Sequence, residues 1–192
     1  MANKRILLLI FGLLVFTSCS SAQDPIVNSP SNSKPAVPKP LELIDLSKMP
    51  PLDSKRMQTS MEDALGNKNE ILDDLIANGT SSIPFLINHL DDETKIENRV
   101  IPFWYEQSVG DVALATLFDL FYDDRAMRST VPGFGYDHFL ERGSDKSITG
   151  EEVLRRYIRN HGRQDIKSRW QKMWESNKQK IYWDDDCRCF RI

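Results

Sequence analysis

The sequence predicts a mainly α-helical protein whose folded part packs around one apolar helix. The first observation is the segment Val109–Tyr122, in which apolar residues recur at helical spacing around most of the circumference. The second is a series of capping signals at the ends of other segments with helical periodicity. The third is a change of composition near Pro51, where a Pro- and Ser-rich sequence gives way to one able to form a core.

Residues 1 to 18 have the pattern of an export signal. Lys4 and Arg5 precede an apolar run from Ile6 to Phe16, which is shorter than the ~20 residues of a membrane-spanning helix. The run leads into Phe-Thr-Ser-Cys, which resembles the lipobox of bacterial lipoproteins. The resemblance implies that Cys19 is acylated, becomes the first mature residue and holds the protein on a lipid bilayer. The alternative is an ordinary signal peptide with an incidental cysteine.

The residue after the lipidated cysteine bears on whether the lipoprotein is sorted to the outer or the inner membrane. In Gram-negative lipoproteins a non-acidic residue there, such as Ser20, permits sorting to the outer membrane. The resemblance therefore implies an anchor in the outer membrane facing the periplasm, with the inner membrane as the alternative. Removal of the signal leaves 174 residues with 23 basic and 28 acidic side chains, a net charge of −5. This balance disfavours nucleic acid as a partner.

Residues 19 to 52 are predicted to form a tether after the lipidated cysteine. Seven of the ten prolines lie between Pro25 and Pro51, and such a composition favours an extended chain. The apolar stretch Leu41–Leu46 is an exception, because it either lies on the folded domain or serves as a docking segment. The domain itself is expected over 53–192, a usual size for a single domain.

Two short elements are predicted at the start of the domain. A capping box at Thr59–Glu62 predicts a helical turn that ends at Gly66. A second box at Asn67–Glu70 predicts a helix over Lys68–Asn78, with Gly79 in the left-handed position that often follows a helix. The residues of this helix expected to point inward are Ile71, Leu75 and Ile76.

The central pair of helices is predicted over Ser82–Leu90 and Val109–Tyr122. Ser81 or Ser82 is expected to cap the first helix, and Pro84 falls in its first turn, where no backbone donor is lost. The apolar stripe of the first helix comprises Ile83, Leu86, Ile87 and Leu90. The only strip of the second helix expected to face water comprises Asp111, Ala115, Asp119 and Tyr122.

Two motifs in this pair carry a resemblance. The stretch Ile83–Asp92 (IPFLINHLDD) and the stretch Val109–Ala113 (VGDVA), with Leu117 and Leu120 after it, resemble HEAT-type helical repeats. They are similar, more narrowly, to bacterial HEAT-like domains of unassigned function. The resemblance implies antiparallel helical hairpins, although no clean second copy follows. It implies no particular activity, because one fold serves many functions.

The C-terminal part is predicted to begin with an irregular segment over Thr130–Ser147, held to the core by aromatic side chains. The capping box Thr149–Glu152 predicts a helix to His161, which Gly162 ends. The aromatic residues expected to reach the core are Phe134, Tyr136 and Phe139; the inward residues of the helix are Val153, Leu154, Tyr157 and Ile158.

A last long helix is predicted over Arg163–Asn177, followed by an extended or hairpin tail over Lys180–Ile192 that turns at Asp184–Asp186. Trp170 and Trp174 lie one helical turn apart on the apolar face of the helix. Core packing is therefore favoured over stacking on a ligand.

Charge is uneven along the domain. Glu62–Asp124 holds 14 acidic and 3 basic residues, whereas Glu151–Lys180 holds 9 basic and 4 acidic residues. One reading is a bipolar surface that recognises a charged partner. The favoured reading is that basic helices pack beside acidic ones, so that the charges largely cancel.

The sequence predicts no catalytic residue, metal site or cofactor. None of the three histidines, His89, His138 and His161, has a ligand partner at helical spacing, and no nucleophile or phosphate-binding motif occurs. Asp184–Asp186 lacks the ligand spacing of a calcium-binding EF-hand loop, which favours a solvated turn.

Cys187 and Cys189 form an even pair in an exported chain, where disulfides are favoured. In an extended strand their Cα atoms would be ~6.6 Å apart, near the upper limit for a disulfide. A local disulfide therefore requires a turn, and a bridge between two chains is the alternative.

The favoured function is a non-catalytic protein-interaction or scaffold module on a lipid anchor, with an unidentified protein partner. An immunity-type protein that neutralises a toxin is one subtype. The alternative is an envelope hydrolase with an unrecognised carboxylate site. Two convergent carboxylates in a cleft would favour the enzyme, and an exposed concave face without perturbed acids would favour binding.

Overall fold

The computed structural model describes residues 37–52, 69–101, 104, 106–139 and 150–192. These residues belong to one compact unit, Val37–Ile192. About half of them are helical, and the strands that accompany the helices are short and antiparallel. The protein is therefore mainly helical. The predicted export signal, Cys19 and the turn at Thr59–Gly66 lie outside the described residues.

The described residues contain five α-helices and three pairs of strands. The helices are α1 (Glu70–Ala77), α2 (Ser82–Asn88), α3 (Val109–Leu120), α4 (Gly150–His161) and α5 (Arg163–Asn177). The antiparallel pairs are β1 (Lys95–Ile96) with β2 (Gln107–Ser108), β3 (Tyr122–Asp123) with β4 (Arg128–Ser129), and β5 (Tyr182–Asp184) with β6 (Cys189–Arg191). Short 3₁₀ turns cover Leu41–Leu43, Leu46–Lys48, Gly79–Ser81 and Tyr136–Phe139.

Several predicted helix ends are confirmed. Helix α5 has the predicted bounds, and α3 begins at Val109. Gly79 and Gly162 follow α1 and α4 with φ of +59° and +81°, in the left-handed region that glycine adopts at little cost.

Two predicted caps are wrong. Helix α1 begins two residues later than predicted, because the side chain of Asn69 caps it by accepting from the backbone N–H of Leu72 at 3.0 Å. Neither Ser81 nor Ser82 caps α2 with its side chain. The preceding 3₁₀ turn runs directly into α2, and the Ser82 hydroxyl donates to the carbonyl of Gly79 at 2.7 Å.

Helix α3 is the most enclosed of the described helices, and ten of its twelve residues are buried. Helix α2 packs against both α3 and α5, and its predicted stripe of Ile83, Leu86, Ile87 and Leu90 is fully buried. The prediction that Asp111 faces water is wrong, because only 6% of this residue is exposed. Its carboxylate lies inside the first turn of α3, as described below.

The stretch Leu41–Met49 lies on the domain. Ile44, Leu46 and Met49 are buried in the core, and the 3₁₀ turn Leu46–Lys48 contacts α3. Asn78 donates from its side chain to the carbonyl of Lys39 at 2.9 Å, which holds the start of the unit at the end of α1. The compact unit therefore begins at Val37, whereas composition alone places its start at about Asp53. The difference arises because a Pro-rich segment can still bury its apolar residues against a preformed surface.

Aromatic rings fill the space between α3, α5 and the C-terminal hairpin. Trp170 is fully buried and packs on the rings of Phe118 and Phe121 at 5.6 and 5.7 Å. Phe121 in turn contacts Phe190 of β6 at 5.5 Å. Core packing is therefore confirmed for Trp170, whereas Trp174 is partly buried at the edge of the core.

The C-terminal tail forms a hairpin from β5 and β6, with its turn after Asp184. A disulfide joins Cys187 and Cys189, whose Cα atoms are 5.2 Å apart. The turn between the two strands brings these Cα atoms together, and within it Arg188 has φ of +50°. Arg191 of β6 contacts Asp184 of β5 within the hairpin at 2.5 Å, and it ties the hairpin to the domain by contacting Asp123 of β3 at 2.7 Å.

Candidate interaction groove

The histidines and the acidic turn have structural contacts. The ring of His161 stacks on Tyr157 at 4.4 Å, and His89 packs edge-on against Phe85 at 4.8 Å. Asp184 accepts from the backbone N–H of Asp186 at 2.9 Å, as expected for a solvated turn. Within the described ranges, no group of three or more His, Cys, Asp or Glu side chains is arranged to hold a metal ion.

Among the described residues, the carboxyl groups with shifted pKa values are all shifted downward. They are Asp45, Asp91, Asp92, Asp123 and Asp165. The pKa of Asp123 is lowered mainly by the backbone N–H of Ala126, with further contributions from Arg125 and Arg191. A lowered pKa marks a carboxylate that is stabilised in its charged form, whereas a carboxylic acid that donates a proton in catalysis needs a raised one.

The start of α3 is joined to the start of α5 by a partly buried ion pair. Asp111 and Ser108 form a capping box, in which the Asp111 carboxylate accepts from the Ser108 backbone N–H at 2.8 Å. The other carboxylate oxygen accepts from Nη2 of Arg163 at 2.8 Å. The Ser-x-x-Asp spacing signals the cap in the sequence, but Arg163 is 52 residues away and no local pattern identifies it.

Gly110 allows α3 to approach the turn after α2 closely, next to the joint that Asp111 and Arg163 form between α3 and α5. Its backbone N–H donates to the carbonyl of Asp92 at 2.8 Å. A Cβ atom at this position would lie 2.6 Å from the carbonyl oxygen of Leu90 and 2.9 Å from that of Asp92. These distances are too short for carbon and oxygen, so a side chain here would push α3 away from the turn that follows α2.

An open groove lies between the loop Val131–Phe134 and the outer side of α5, with a cavity volume of about 470 Å³. Apolar side chains form its floor, and two cations lie on its helix side. The principal lining residues are Val131, Phe134, Arg169, Lys172, Met173 and Ser176. The sequence indicated that Phe134 reaches the core, but it gave no sign of the groove.

The loop is shaped by its own sequence and by the hairpin beneath it. Gly133 takes φ of +82°, and the N–H of Phe134 donates to the carbonyl of Val131 at 3.1 Å, which closes a turn. The hydroxyl of Thr130 lies 2.6 Å from the carbonyl oxygen of Phe190. The Phe134 ring packs on Trp170 with a centroid distance of 4.6 Å. The loop is therefore held in place by the hairpin, through Thr130, and by α5, through Phe134.

The groove has a positive side and no acidic side chain in its lining. The guanidinium of Arg169 is positioned by Asp165, which it contacts at 3.1 Å, and by the ring of Tyr157 at 4.9 Å. The Tyr157 hydroxyl donates to the same carboxylate; this bond is the main reason that the pKa of Asp165 is lowered, and Arg169 contributes. Lys172 is exposed and forms no ion pair with any described residue.

A smaller cavity of about 240 Å³ lies on the other side of the same loop. Phe134 lines both cavities, and Met127, which is 77% exposed, stands at the rim of the smaller one. Apolar surface is thus available on both sides of the loop.

No protein family, curated protein sequence or solved structure matches this chain. In the part of the chain that the structure describes, no helix has both the length and the apolar character to cross a bilayer.

Proposed function

We propose that the protein is a lipoprotein acylated at Cys19 that acts as a non-catalytic interaction module at the periplasmic face of the outer membrane. The groove beside α5 is the observation that carries the proposal. It combines apolar floor residues with cations, which is the surface composition of a site that binds another molecule. Among the described residues, the carboxyl groups with shifted pKa values, such as Asp91 and Asp123, are stabilised in their charged form.

The carboxyl groups with lowered pKa values belong to ion pairs and turns. The pKa values of Asp91 and Asp165 are lowered mainly by hydrogen bonds from the Lys167 ammonium and the Tyr157 hydroxyl, respectively, and that of Asp123 by backbone N–H groups. Each of these carboxylates is therefore accounted for by a contact that stabilises the fold. No specific feature of the described residues favours the hydrolase alternative.

The anchor and the groove are connected by a short sequence in this proposal. Residues 20 to 36, a Pro- and Ser-rich sequence of 17 residues, separate Cys19 from the unit Val37–Ile192. Cys19, the proposed anchor, therefore lies outside the unit that carries the groove.

The helical part is proposed to be of the HEAT-like type. Helices α1 and α2 follow each other closely in sequence, and α2 packs against α3 and α5. An arrangement of successive helices around a shared apolar helix supports this proposal. It adds no function by itself, since helical repeats carry many kinds of binding surface.

Replacement of Cys19 by Ala tests the anchor. We expect the wild-type chain to incorporate a radiolabelled fatty acid and to sediment with outer membranes, because two or more acyl chains give stable anchoring. The Cys19→Ala chain should lose both properties. Equal labelling and equal membrane association of the two chains would rule out the lipoprotein proposal.

The interaction role is tested by in-cell crosslinking of the full-length protein with a photoreactive amino acid at position 176. Ser176 lies on the exposed side of α5 at the groove. We expect discrete crosslinked species, whereas the same probe at Lys95, on β1, should give none of them. An identical crosslinking pattern at both positions, or no crosslinked species at either, would contradict the proposed interaction module.

A further inference from the structure

We infer that the groove between Val131–Phe134 and α5 binds an acidic protein segment that inserts an apolar side chain between the loop and the helix. This inference rests on the proposed interaction function and specifies the chemistry of the partner. It combines two features of one surface: an apolar floor of fixed shape, and cations along only one side of it.

The floor of the groove is built from side chains that are already held in place. Val131 is 2% exposed and Met173 is 6% exposed, and the Phe134 ring rests on the fully buried Trp170. The cavity of about 470 Å³ falls within the range of sites that enclose a ligand, roughly 300–1,000 Å³. A preformed floor saves the entropy of ordering these side chains on binding.

The cations specify an anionic group beside the inserted side chain. Arg169 is held by Asp165 and by the rings of Tyr157 and Phe139, so its guanidinium is oriented before a partner arrives. Lys172 is one turn further along α5 and is free of ion pairs with described residues. Because the charge of Arg169 is already paired with Asp165, Lys172 is the lining cation left for a partner, and a carboxylate is its complementary group.

A protein segment fits this surface better than an anionic lipid surface does. A helix that lies in a membrane interface turns an apolar face towards the lipid. The apolar residues Ile166, Trp170 and Met173 of α5 are instead buried in the protein. What remains open is a concave groove, which accepts single side chains from an extended chain or a helix.

The test is a selection from a random twelve-residue peptide library displayed on phage, against the full-length acylated protein in detergent. We expect enrichment of peptides that place a Leu, Ile, Phe or Met within a few residues of Asp or Glu. A synthetic copy of an enriched peptide should bind at least tenfold more weakly to Lys172→Glu and to Ser176→Trp. The first variant reverses the charge and the second fills the groove.

Lys95→Glu is the matched control, because it makes the same charge change on exposed β1 and should leave peptide affinity unchanged. Enrichment of basic or uncharged peptides, absence of enrichment, or equal affinity of all variants would overturn the inference. Binding of the wild type, but not of Lys172→Glu, to phosphatidylglycerol vesicles that displace the peptide would also overturn it, in favour of a lipid surface.

The outcomes separate this inference from the proposed function. If position 176 yields crosslinked partners in cells but Lys172→Glu leaves the peptide affinity unchanged, the interaction function stands and the inference of an acidic partner is wrong. If neither experiment gives a signal, the interaction function itself falls.

Discussion

The two halves of α5 carry the same kind of charge but use it differently. In the first half, Arg163 pairs with Asp111 at 2.8 Å and Lys167 pairs with Asp91 at 2.6 Å, so both cations join α5 to the acidic part of the domain. Further along the helix, Lys172 lines an open groove together with Arg169, which pairs with Asp165 of the same helix. Neighbouring turns of one helix thus provide a structural joint and an exposed positive surface.

The difference shows that a run of basic residues has no single meaning. The sequence favoured cancellation between the acidic and basic halves, and the contacts of Arg163 and Lys167 confirm it for the start of α5. Lys172 does not follow this rule, because it is exposed at the groove and forms no ion pair with any described residue. Position relative to the α2–α3 turn, rather than charge, separates the two groups of cations.

The largest expected effect follows from breaking the joint at Asp111. We expect Asp111→Ala to lower the free energy of unfolding by about 3 kcal/mol. It removes the Asp111 half of the capping box with Ser108 and leaves the Arg163 guanidinium without its carboxylate in a mostly buried place. Urea unfolding followed by circular dichroism measures the loss.

A double-mutant cycle identifies the cause. Arg163→Met alone should cost less than Asp111→Ala, because the Asp111 carboxylate that it leaves behind still accepts from the backbone N–H and the hydroxyl of Ser108, and the cost of the double variant should fall below the sum of the two. Additive losses would show that the cap, and not the ion pair, makes Asp111 important.

The second prediction concerns the close approach at Gly110. Ala normally stabilises a helix by about 1 kcal/mol relative to Gly. Here the added Cβ meets two backbone carbonyl oxygens at 2.6 and 2.9 Å, and we expect Gly110→Ala to destabilise the protein by about 1–3 kcal/mol. The sign of the change in thermal midpoint decides the matter, because a stabilised variant would mean that α3 does not press against the Leu90–Asp92 turn.

The sequence predicted elements whose signals are local. The bounds of α5, the left-handed Gly79, the helix end at Gly162 and the stripe of α2 all follow from spacing and from end signals within a few residues. Each of these features depends on interactions inside one helix or at its end. They are therefore visible without any knowledge of tertiary contacts.

Other features depend on contacts between distant parts of the chain, and the sequence patterns did not predict them. A helical projection assigns Asp111 to the water-facing strip, but its third-residue position in α3 and the distant Arg163 stabilise it in the interior. The groove likewise requires the loop at residues 131–134 to meet a helix that follows much later in the chain. Sequence patterns indicate which residues are apolar or charged, but not which of them share a surface.

The third prediction uses pH to sharpen the contrast between the two halves of α5. The pKa of Asp91 is lowered, chiefly by the hydrogen bond from Lys167 and also by Gln164. A carboxyl group with a lowered folded pKa contributes stability above its unfolded pKa of ~3.9, and this contribution is lost as pH falls through the folded value. We expect the temperature of the unfolding midpoint to decrease once the pH drops below about 4.

Asp91→Asn removes this titrating group, so its thermal midpoint should fall less steeply than that of the wild type between about pH 5 and pH 3. At neutral pH the variant should be the less stable of the two, since the ion pair with Lys167 is gone. Parallel curves for the two proteins would show that the Lys167 contact contributes nothing to folding.

The smallest expected change comes from applying one substitution to each half of the helix. Lys167→Glu places a second carboxylate beside Asp91 and removes a donor to the carbonyl of Asn88, and we expect a loss of about 1–2 kcal/mol. Lys172→Glu alters an exposed side chain that supports no other element, and its unfolding free energy should stay within about 0.5 kcal/mol of the wild type. Both variants carry the same change in net charge on one helix, so a difference between them reports on local contacts alone. Equal losses would mean that Lys172 also holds the fold together, and the distinction between a joint and a free positive surface on α5 would then disappear.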